Sequence, residues 1–295
     1  MLSSLSSCVF HLGKQRWRQY RKISSLSCLL QSFNEYTHFG YRSVPKEAKT
    51  SLVGSVFSDV ASKYDLMNDW MSLGLHRIWK DLFVMSLAPT ADMRILDVAG
   101  GTGDVAFRIV ESKRKDSGGS AKQVEPVVVV DINEDMLRVG KERAKERGYR
   151  ESEIMFVHGN AEKLPAASET VDAYVISFGM RNVTEPELAL QEAYRVLRVG
   201  GRFHMLEFAQ VQNDVLGYLY DMYSFSVIPW IGQLVANNRD AYQYLVESIR
   251  KFPSQEEFSK MMKNAGFQQV SYRNYHQGIV AQYSGFKLGQ DRNPL

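Results

Sequence analysis

The sequence predicts an α/β protein whose core is a doubly wound, mostly parallel sheet. Three observations support this prediction. A glycine-rich turn follows an apolar strand within residues 94–104, short apolar strands alternate with helices after it, and two strands close the chain. Strands that alternate with helices are typical of parallel sheets covered by helices on both faces.

The glycine turn is the first element that carries chemistry. Arg94–Val98 is predicted to be a short strand, and Gly100, Gly101 and Gly103 follow it. Glycine permits backbone conformations closed to other residues, so a nucleotide-type cofactor can approach the main chain and the start of the next helix. The same glycines, with Ala106, also fit a dinucleotide fingerprint, so they leave the class of cofactor open.

The carboxylate of Asp97 favours one class of cofactor. Asp97 precedes Gly101 by four residues, and the pattern D-x-x-G-G-x-G resembles the first motif of class I S-adenosylmethionine-dependent methyltransferases. This resemblance implies a cofactor that carries an ammonium and a sulfonium, whose positive charges an acidic group can balance. The alternative is that Asp97 only braces the turn by hydrogen bonds.

Residues 1–34 differ in composition from the rest of the chain. They are rich in Ser and contain five basic residues and no acid, which is typical of a mitochondrial or plastid transit peptide; the interspersed Arg residues favour the mitochondrial type. The alternative is a disordered basic tail. The net charge is +3 for the whole chain and +5 for this segment, so the remainder is slightly acidic. It therefore lacks the excess of basic residues that is typical of nucleic-acid-binding proteins. Both cysteines, Cys8 and Cys28, fall in the segment, which excludes disulfides, thiolate zinc sites and cysteine nucleophiles from the mature protein.

The strand after the turn ends in a second acid. Val127–Val130 is a branched apolar run of the kind buried in parallel sheets, and Asp131 follows it. In cofactor-binding folds of this type, an acid at this position accepts hydrogen bonds from ribose hydroxyls. The alternative is that Asp131 binds no ligand and only interacts favourably with the dipole of a helix that begins near Glu134.

Further strands are predicted at residues 153–157, 171–176 and 203–208. A capping box of Thr184 and Glu187 predicts a helix to about residue 198, ended by the glycines at 200–201, and Ser254 with Glu257 predicts another. The strands 269–275 and 279–286 are joined by a short turn, so we expect an antiparallel pair. A dehydrogenase sheet would normally continue with parallel strands, so this pair favours the methyltransferase interpretation.

Two apolar regions flank the predicted core. From Val53 to Tyr64, apolar residues recur with the spacing of an amphipathic helix. Residues 215–236 contain Asp221 as their only charge, and their length fits a membrane span, but Asp221, Pro229 and the tyrosines make a span costly. We therefore expect an apolar lid or channel wall that can touch a membrane surface.

Two longer motifs resemble a known family. Residues 64–79, Y-D-L-M-N-x-x-x-S-x-x-x-H-x-x-W, resemble one signature of the ubiquinone/menaquinone biosynthesis C-methyltransferases, and residues 195–208 resemble the other. Residues 177–183 and 234–237 are also similar, and the resemblance extends over about 37–287. It implies a class I S-adenosylmethionine-dependent methyltransferase (Rossmann-like) fold, with a mostly parallel seven-stranded sheet and a closing antiparallel hairpin.

The resemblance also implies a function. The expected reaction is transfer of a methyl group from S-adenosyl-L-methionine to a ring carbon of a polyprenyl methoxy-benzoquinol, in ubiquinone rather than menaquinone biosynthesis because of the mitochondrial-type presequence. The expected setting is peripheral, on the matrix side of the mitochondrial inner membrane, in a complex with other ubiquinone-biosynthesis proteins and without nucleic acid. A catalytically silent scaffold subunit and a nicotinamide-dependent dehydrogenase are the alternatives.

Site residues follow from the matching positions. The resemblance implies cofactor contacts from the glycine turn and the strand ends, namely Gly101, Thr102, Asp131, Asn160, Ala161 and Ser177. For catalysis, Arg181 is expected to stabilise a phenolate or orient a water, while Asn182 and Tyr64 hold the quinol hydroxyls. The alternatives are a loop-bracing role for Arg181 and a titrating His76. The motifs imply no metal site.

The chain is expected to divide into five parts. They are a transit peptide at 1–34, a helical cap at 35–93 that contributes to the substrate site, a cofactor-binding core at 94–210, an apolar lid or channel segment at 211–250, and a C-terminal helix and hairpin at 251–288 that complete the sheet.

Overall fold

A computed structural model describes residues 35–60, 68–69, 72–118, 124–212, 217, 222–223, 226 and 239–289. The strands are β1 (Tyr36–Phe39), β2 (Arg42–Pro45), β3 (Ile95–Val98), β4 (Val127–Asp131), β5 (Ile154–His158), β6 (Val171–Ser177), β7 (Leu197–Phe208), β8 (Gln268–Tyr275) and β9 (Val280–Phe286). The helices are α1 (Lys46–Val60), α2 (Leu75–Leu87), α3 (Asp104–Ser117), α4 (Glu134–Glu146), α5 (Pro186–Val196), α6 (Arg239–Lys251) and α7 (Gln255–Asn264).

The main sheet has seven strands in the order β5-β4-β3-β6-β7-β9-β8. The pairs from β5 to β7 are parallel, and β9 runs antiparallel to both β7 and β8. The predicted fold class, including the closing hairpin, is confirmed. Because the parallel strands point the same way, their carboxyl ends meet at one edge of the sheet, where α/β folds bind ligands.

The sheet is covered on both faces by apolar side chains. Leu96 and Val98 pack in a cluster with α5 and α7, whereas Ile95 packs in another with α2 and α3. Side chains alternate between faces along a strand, so Asp97, two residues after Ile95, lies on the face that α2 and α3 cover. This alternation fixes the surroundings of the acid in front of the glycine turn.

The region before the core is not wholly helical. Strands β1 and β2 form an antiparallel hairpin that the sequence pattern did not predict. Helix α1 begins at Lys46, directly after Pro45, and therefore earlier than the Val53 start suggested by periodicity. Phe39 of the hairpin and Tyr244 of α6 stack with ring centroids 4.2 Å apart, which joins this region to the C-terminal part of the chain.

The predicted start and end of α5 are wrong. The helix begins at Pro186 with Glu185 as its N-cap and no side-chain capping bond, because the amides of Thr184 and Glu185 donate instead to Oε1 of Glu162, at 2.8 and 2.9 Å. The chain enters β7 at Leu197, which pairs with Val171 across a register shift. The predicted capping box of Ser254 and Glu257 is confirmed.

Most of the predicted lid segment lies outside the described residues, as does residue 64. The described part of 211–250 consists of residues 211–212, 217, 222–223 and 226 and most of α6. In the described part of the chain, no helix combines the length and apolar character that a membrane span requires.

Candidate functional site

A cleft opens at the carboxyl edge of the parallel strands, with α1 contributing to its wall. It encloses about 1060 Å³, counting space open to solvent. Most of the site residues expected from the sequence line it, namely Gly101, Thr102, Asp131, Asn160, Ala161, Ser177 and Asn182. The structure therefore brings these residues together, and their binding roles stay predictions.

The glycine turn forms one wall of the cleft. Gly101 and Gly103 have φ of +54° and +81°, and a Cβ on Gly100 would come within 2.9 Å of a carboxylate oxygen of Asp97. Helix α3 begins directly after Gly103, which as a glycine has no side chain to cap the first amides. The turn thus exposes main chain and a helix N-terminus to a ligand, as the sequence predicted.

Asp131 links the second strand to the glycine turn. Its two carboxylate oxygens accept hydrogen bonds from the amides of Gly101 and Asn133, both at 2.8 Å. Burial raises the pKa of Asp131, while these amide bonds act in the opposite direction. Each oxygen retains a further lone pair, so Asp131 can also accept hydrogen bonds from ligand hydroxyls.

Asp97 is buried in the wall of the cleft, and no described side chain pairs with it. It is 0% exposed, and the group that bonds to its carboxylate is the backbone amide of Ala106, in the first turn of α3. Burial, and next the charge of Asp131, raise the pKa of Asp97 to about 7. A buried acid without a charged partner is costly, and a cationic ligand would compensate it.

Two polar side chains of the cleft follow strand β6. The Ser177 hydroxyl at the end of β6 is buried, and no group in the described part of the chain bonds to it. Asn182 accepts a hydrogen bond from the Tyr244 hydroxyl at 3.0 Å, so the donor end of that amide is the one available to a ligand. These groups suit a ligand with hydroxyl or carbonyl oxygens.

Arg181 does not line the cleft. Its side chain is buried, pairs with Glu207 at 2.8 Å, and donates a hydrogen bond to the Phe178 carbonyl. Phe178 does line the cleft, and it holds a φ of +55°, which is uncommon for a residue with a side chain. This geometry favours the bracing role over direct contact with a substrate, because Arg181 fixes the strained residue that forms the wall.

His76 lies in the N-terminal turn of α2. Its Nε2 is 2.8 Å from Asp69, the ring is buried, and it is not part of the wall of the cleft. Burial, and next the charge of Lys80, lower the pKa of His76. Tyr64, another catalytic candidate, lies outside the described residues. The burial of His76 and its contact with Asp69 favour a structural role for that residue.

The sequence analysis missed three charged residues of the cleft. Lys80, Asp104 and Glu162 all line it. Asp104 directly follows the glycine turn, and Glu162 follows Asn160 by two residues, so their closeness to predicted site residues was the available signal. Lys80 had no such signal, because it belongs to a helix before the core.

The chain is similar to known methyltransferases in sequence and in fold. The model of the ubiE/COQ5 methyltransferase family matches residues 43–287. A mitochondrial 2-methoxy-6-polyprenyl-1,4-benzoquinol methylase of Oryza sativa subsp. japonica is 53% identical over 260 residues, spanning 85% of this chain and 88% of the relative. A ubiquinone/menaquinone biosynthesis C-methyltransferase of Dinoroseobacter shibae is 51% identical, spanning 88% and 100%. A solved S-adenosylmethionine-dependent methyltransferase of Thermotoga maritima shares the fold, with 21% identity, a TM-score of 0.54 and coverage of 80% and 99%.

Proposed function

The chain belongs to the ubiE/COQ5 methyltransferase family, and from this membership we propose that it methylates a ring carbon of a 2-methoxy-6-polyprenyl-1,4-benzoquinol. It is an S-adenosylmethionine-dependent methyltransferase of ubiquinone biosynthesis. The observation that carries the proposal is the family match over residues 43–287.

The cleft fits S-adenosylmethionine. No described side chain pairs with the carboxylate of Asp97, and the cofactor's ammonium would provide such a partner. We propose that Asp131 accepts hydrogen bonds from the ribose, that Asn160 and Ala161 surround the adenine, and that Gly101, Thr102 and Ser177 complete the contacts. When bound, the cofactor supplies an electrophilic methyl group on a sulfonium.

The unusual pKa of Asp97 predicts a pH dependence of cofactor binding. The cofactor's positive charge favours ionised Asp97, whose pKa in the free protein is raised to about 7. We therefore expect affinity to fall on the order of tenfold between about pH 8 and pH 6, with release of a proton on binding at the lower pH. Titration calorimetry in buffers of different ionisation enthalpy measures both quantities.

Asp97→Asn is the control, since it should bind weakly without this pH dependence. An unchanged wild-type affinity across the range would contradict the assignment.

The stability of the free protein depends on pH in the opposite direction to cofactor affinity, because ionisation of buried Asp97 lowers the stability of the fold. A raised folded-state pKa contributes stability that is fully present below the unfolded pKa and is lost as pH rises through about 7. Asp97→Asn should therefore stabilise the free protein above neutral pH.

On the substrate side, the chain must help a phenolic hydroxyl lose its proton, because a ring carbon is a poor nucleophile until a neighbouring oxygen becomes anionic. We propose that Asn182 and Tyr64 hold the quinol hydroxyls. Arg181 acts as a positioning residue, since it holds Phe178 against the cleft while Glu207 pairs with its charge.

Transfer of label from S-adenosylmethionine to a short-chain methoxy-benzoquinol tests the proposal. The expected product carries the methyl group on a ring carbon, as located by nuclear magnetic resonance. A product methylated on oxygen would contradict the proposed chemistry. Cofactor binding without transfer would indicate a silent scaffold, and nicotinamide turnover by absorbance would indicate a dehydrogenase.

We propose that residues 1–34 are a mitochondrial transit peptide and are not needed for folding of the domain. Relatives of the chain are mitochondrial methylases, and the segment lacks acids. Deleting it should leave the melting temperature unchanged while abolishing import into isolated mitochondria. A loss of several degrees would show that the segment packs on the domain.

We further propose peripheral attachment to the matrix side of the inner membrane, within a complex of ubiquinone-biosynthesis proteins. The support is the chemistry of the substrate, because a polyprenyl chain is confined to the membrane. Alkaline extraction of mitochondria should release the protein, whereas retention in the membrane fraction would contradict peripheral attachment.

A further inference from the structure

The cleft wall contains one cation that no part of the proposed function uses. Lys80 on α2 is 5% exposed, and its Nζ lies 2.8 Å from a carboxylate oxygen of Asp104. Among the described residues that line the cleft, Lys80 is the only Lys, Arg or His. The other charged groups of the wall are Asp97, Asp104, Asp131 and Glu162.

Asp104 is shared between Lys80 and a second cation. Arg108, one turn later on α3, also pairs with Asp104, and with Asp81 as well. Although burial acts the other way, the charges of Lys80 and Arg108 hold the pKa of Asp104 well below its ordinary value. Asp104 is thus an anion between two cations, of which only Lys80 reaches the cleft. An ammonium has three donors, so Lys80 can bind a second anion while it remains paired with Asp104.

The surroundings of Lys80 suit an anion placed beside a cation. The start of α3 lies next to Lys80, because α3 begins with the Asp104 that Lys80 binds, and helix N-termini favour negative charge. Asp97, with which no described side chain pairs, lies on the same face of the sheet, close enough that the charge of Lys80 lowers its pKa. The wall therefore presents a carboxylate and an ammonium together, which is the complement of an α-amino acid group.

We propose that Lys80 binds the α-carboxylate of the methionyl group of S-adenosylmethionine, next to the ammonium that Asp97 receives. The proposal rests on the function given above and adds a residue to its cofactor site. It predicts that the affinity contributed by Lys80 depends on the ligand's carboxylate. A lysine that only neutralises Asp97 and Asp104 would affect any ligand of the cleft equally.

Titration calorimetry with two ligands separates these roles. The wild type and Lys80→Met are titrated with S-adenosylmethionine and with its decarboxylated analogue, which keeps the ammonium, the sulfonium and the nucleoside. A charge-assisted hydrogen bond predicts that Lys80→Met weakens binding of S-adenosylmethionine roughly tenfold to a hundredfold, and binding of the analogue less than about threefold. Equal losses for both ligands, or no loss for either, would overturn the proposal.

Arg108→Met is the matched control. It removes the other cation that pairs with Asp104, from a residue outside the cleft wall, so both affinities should stay within about threefold of the wild type. A carboxylate-dependent loss in Arg108→Met would assign the effect to Asp104 instead. If Lys80→Met does not fold, Lys80→Gln and Lys80→Arg are titrated in its place, and Lys80→Arg should retain most of the discrimination. A wild type that binds neither ligand would contradict the proposed function. If the wild type binds normally and the Lys80 variants keep the same preference for S-adenosylmethionine over the decarboxylated analogue, only the assignment of Lys80 is contradicted.

Discussion

Asp131→Ala is expected to weaken binding of S-adenosylmethionine by on the order of a hundredfold or more. The carboxylate stands at the end of β4, lines the cleft, and is already oriented by the amides of Gly101 and Asn133. Two charge-assisted bonds to ribose hydroxyls at roughly 1.5 to 3 kcal/mol each account for the loss. Calorimetric titration measures the affinity directly.

The matched control is Asp135→Ala, in the first turn of α4. Its carboxylate is half exposed and lies outside the cleft wall. It interacts with Ser58 and Arg138, which do not line the cleft either, so its removal should leave cofactor affinity unchanged. Because Asp131 also anchors the glycine turn, a modest fall in melting temperature is expected in Asp131→Ala. A folded Asp131→Ala protein with wild-type affinity would rule out the ribose contact.

The residues placed correctly from the sequence share one property, which is that they follow strands. Asp131, Asn160 and Ser177 come at or just after the ends of β4, β5 and β6, and a parallel sheet brings such positions to one edge whatever the details of packing. Lys80 could not be found this way. It meets Asp104 from a helix 24 residues earlier, through packing that no local pattern records.

Local structure was mispredicted where tertiary contacts competed with local signals. Thr184 and Glu187 have the spacing of a capping box, yet Glu162, 22 residues before Thr184, supplies the acceptor for the amides at that end. Likewise, the glycines at 200–201 suggested a helix end, but the helix stops earlier because Leu197 joins the sheet. In both cases a distant partner determined the boundary.

Arg181→Met is expected to destabilise the protein by about 3 to 5 kcal/mol. The substitution leaves the fully buried Glu207 without its cationic partner and removes the donor to the Phe178 carbonyl. Chemical unfolding monitored by fluorescence gives the free energy. Arg138→Met, which breaks two exposed pairs, with Asp135 and Glu142, should cost less than about 1 kcal/mol.

The double variant Arg181→Met with Glu207→Gln should be more stable than Arg181→Met alone, because it removes the unpaired charge as well. The two single changes would then be coupled, as expected for residues in direct contact. Additive losses in the double variant would mean that the pair contributes no interaction of its own, and the large single effect would need another cause.

Arg181→Lys distinguishes an electrostatic role from a purely bracing one. Lysine keeps the charge but cannot reproduce the planar fork, so turnover should fall roughly a hundredfold while cofactor affinity is nearly intact. If the loss comes through Phe178, the KM for the quinol rises and the melting temperature falls along with kcat, because the wall of the cleft has moved. If instead the charge itself favours the phenolate, kcat stays close to the wild-type value, because lysine keeps that charge. Near-normal turnover in Arg181→Lys, together with a severe loss in a folded His76→Gln protein, would instead transfer the role to His76, although its ring faces Asp69 rather than the cleft.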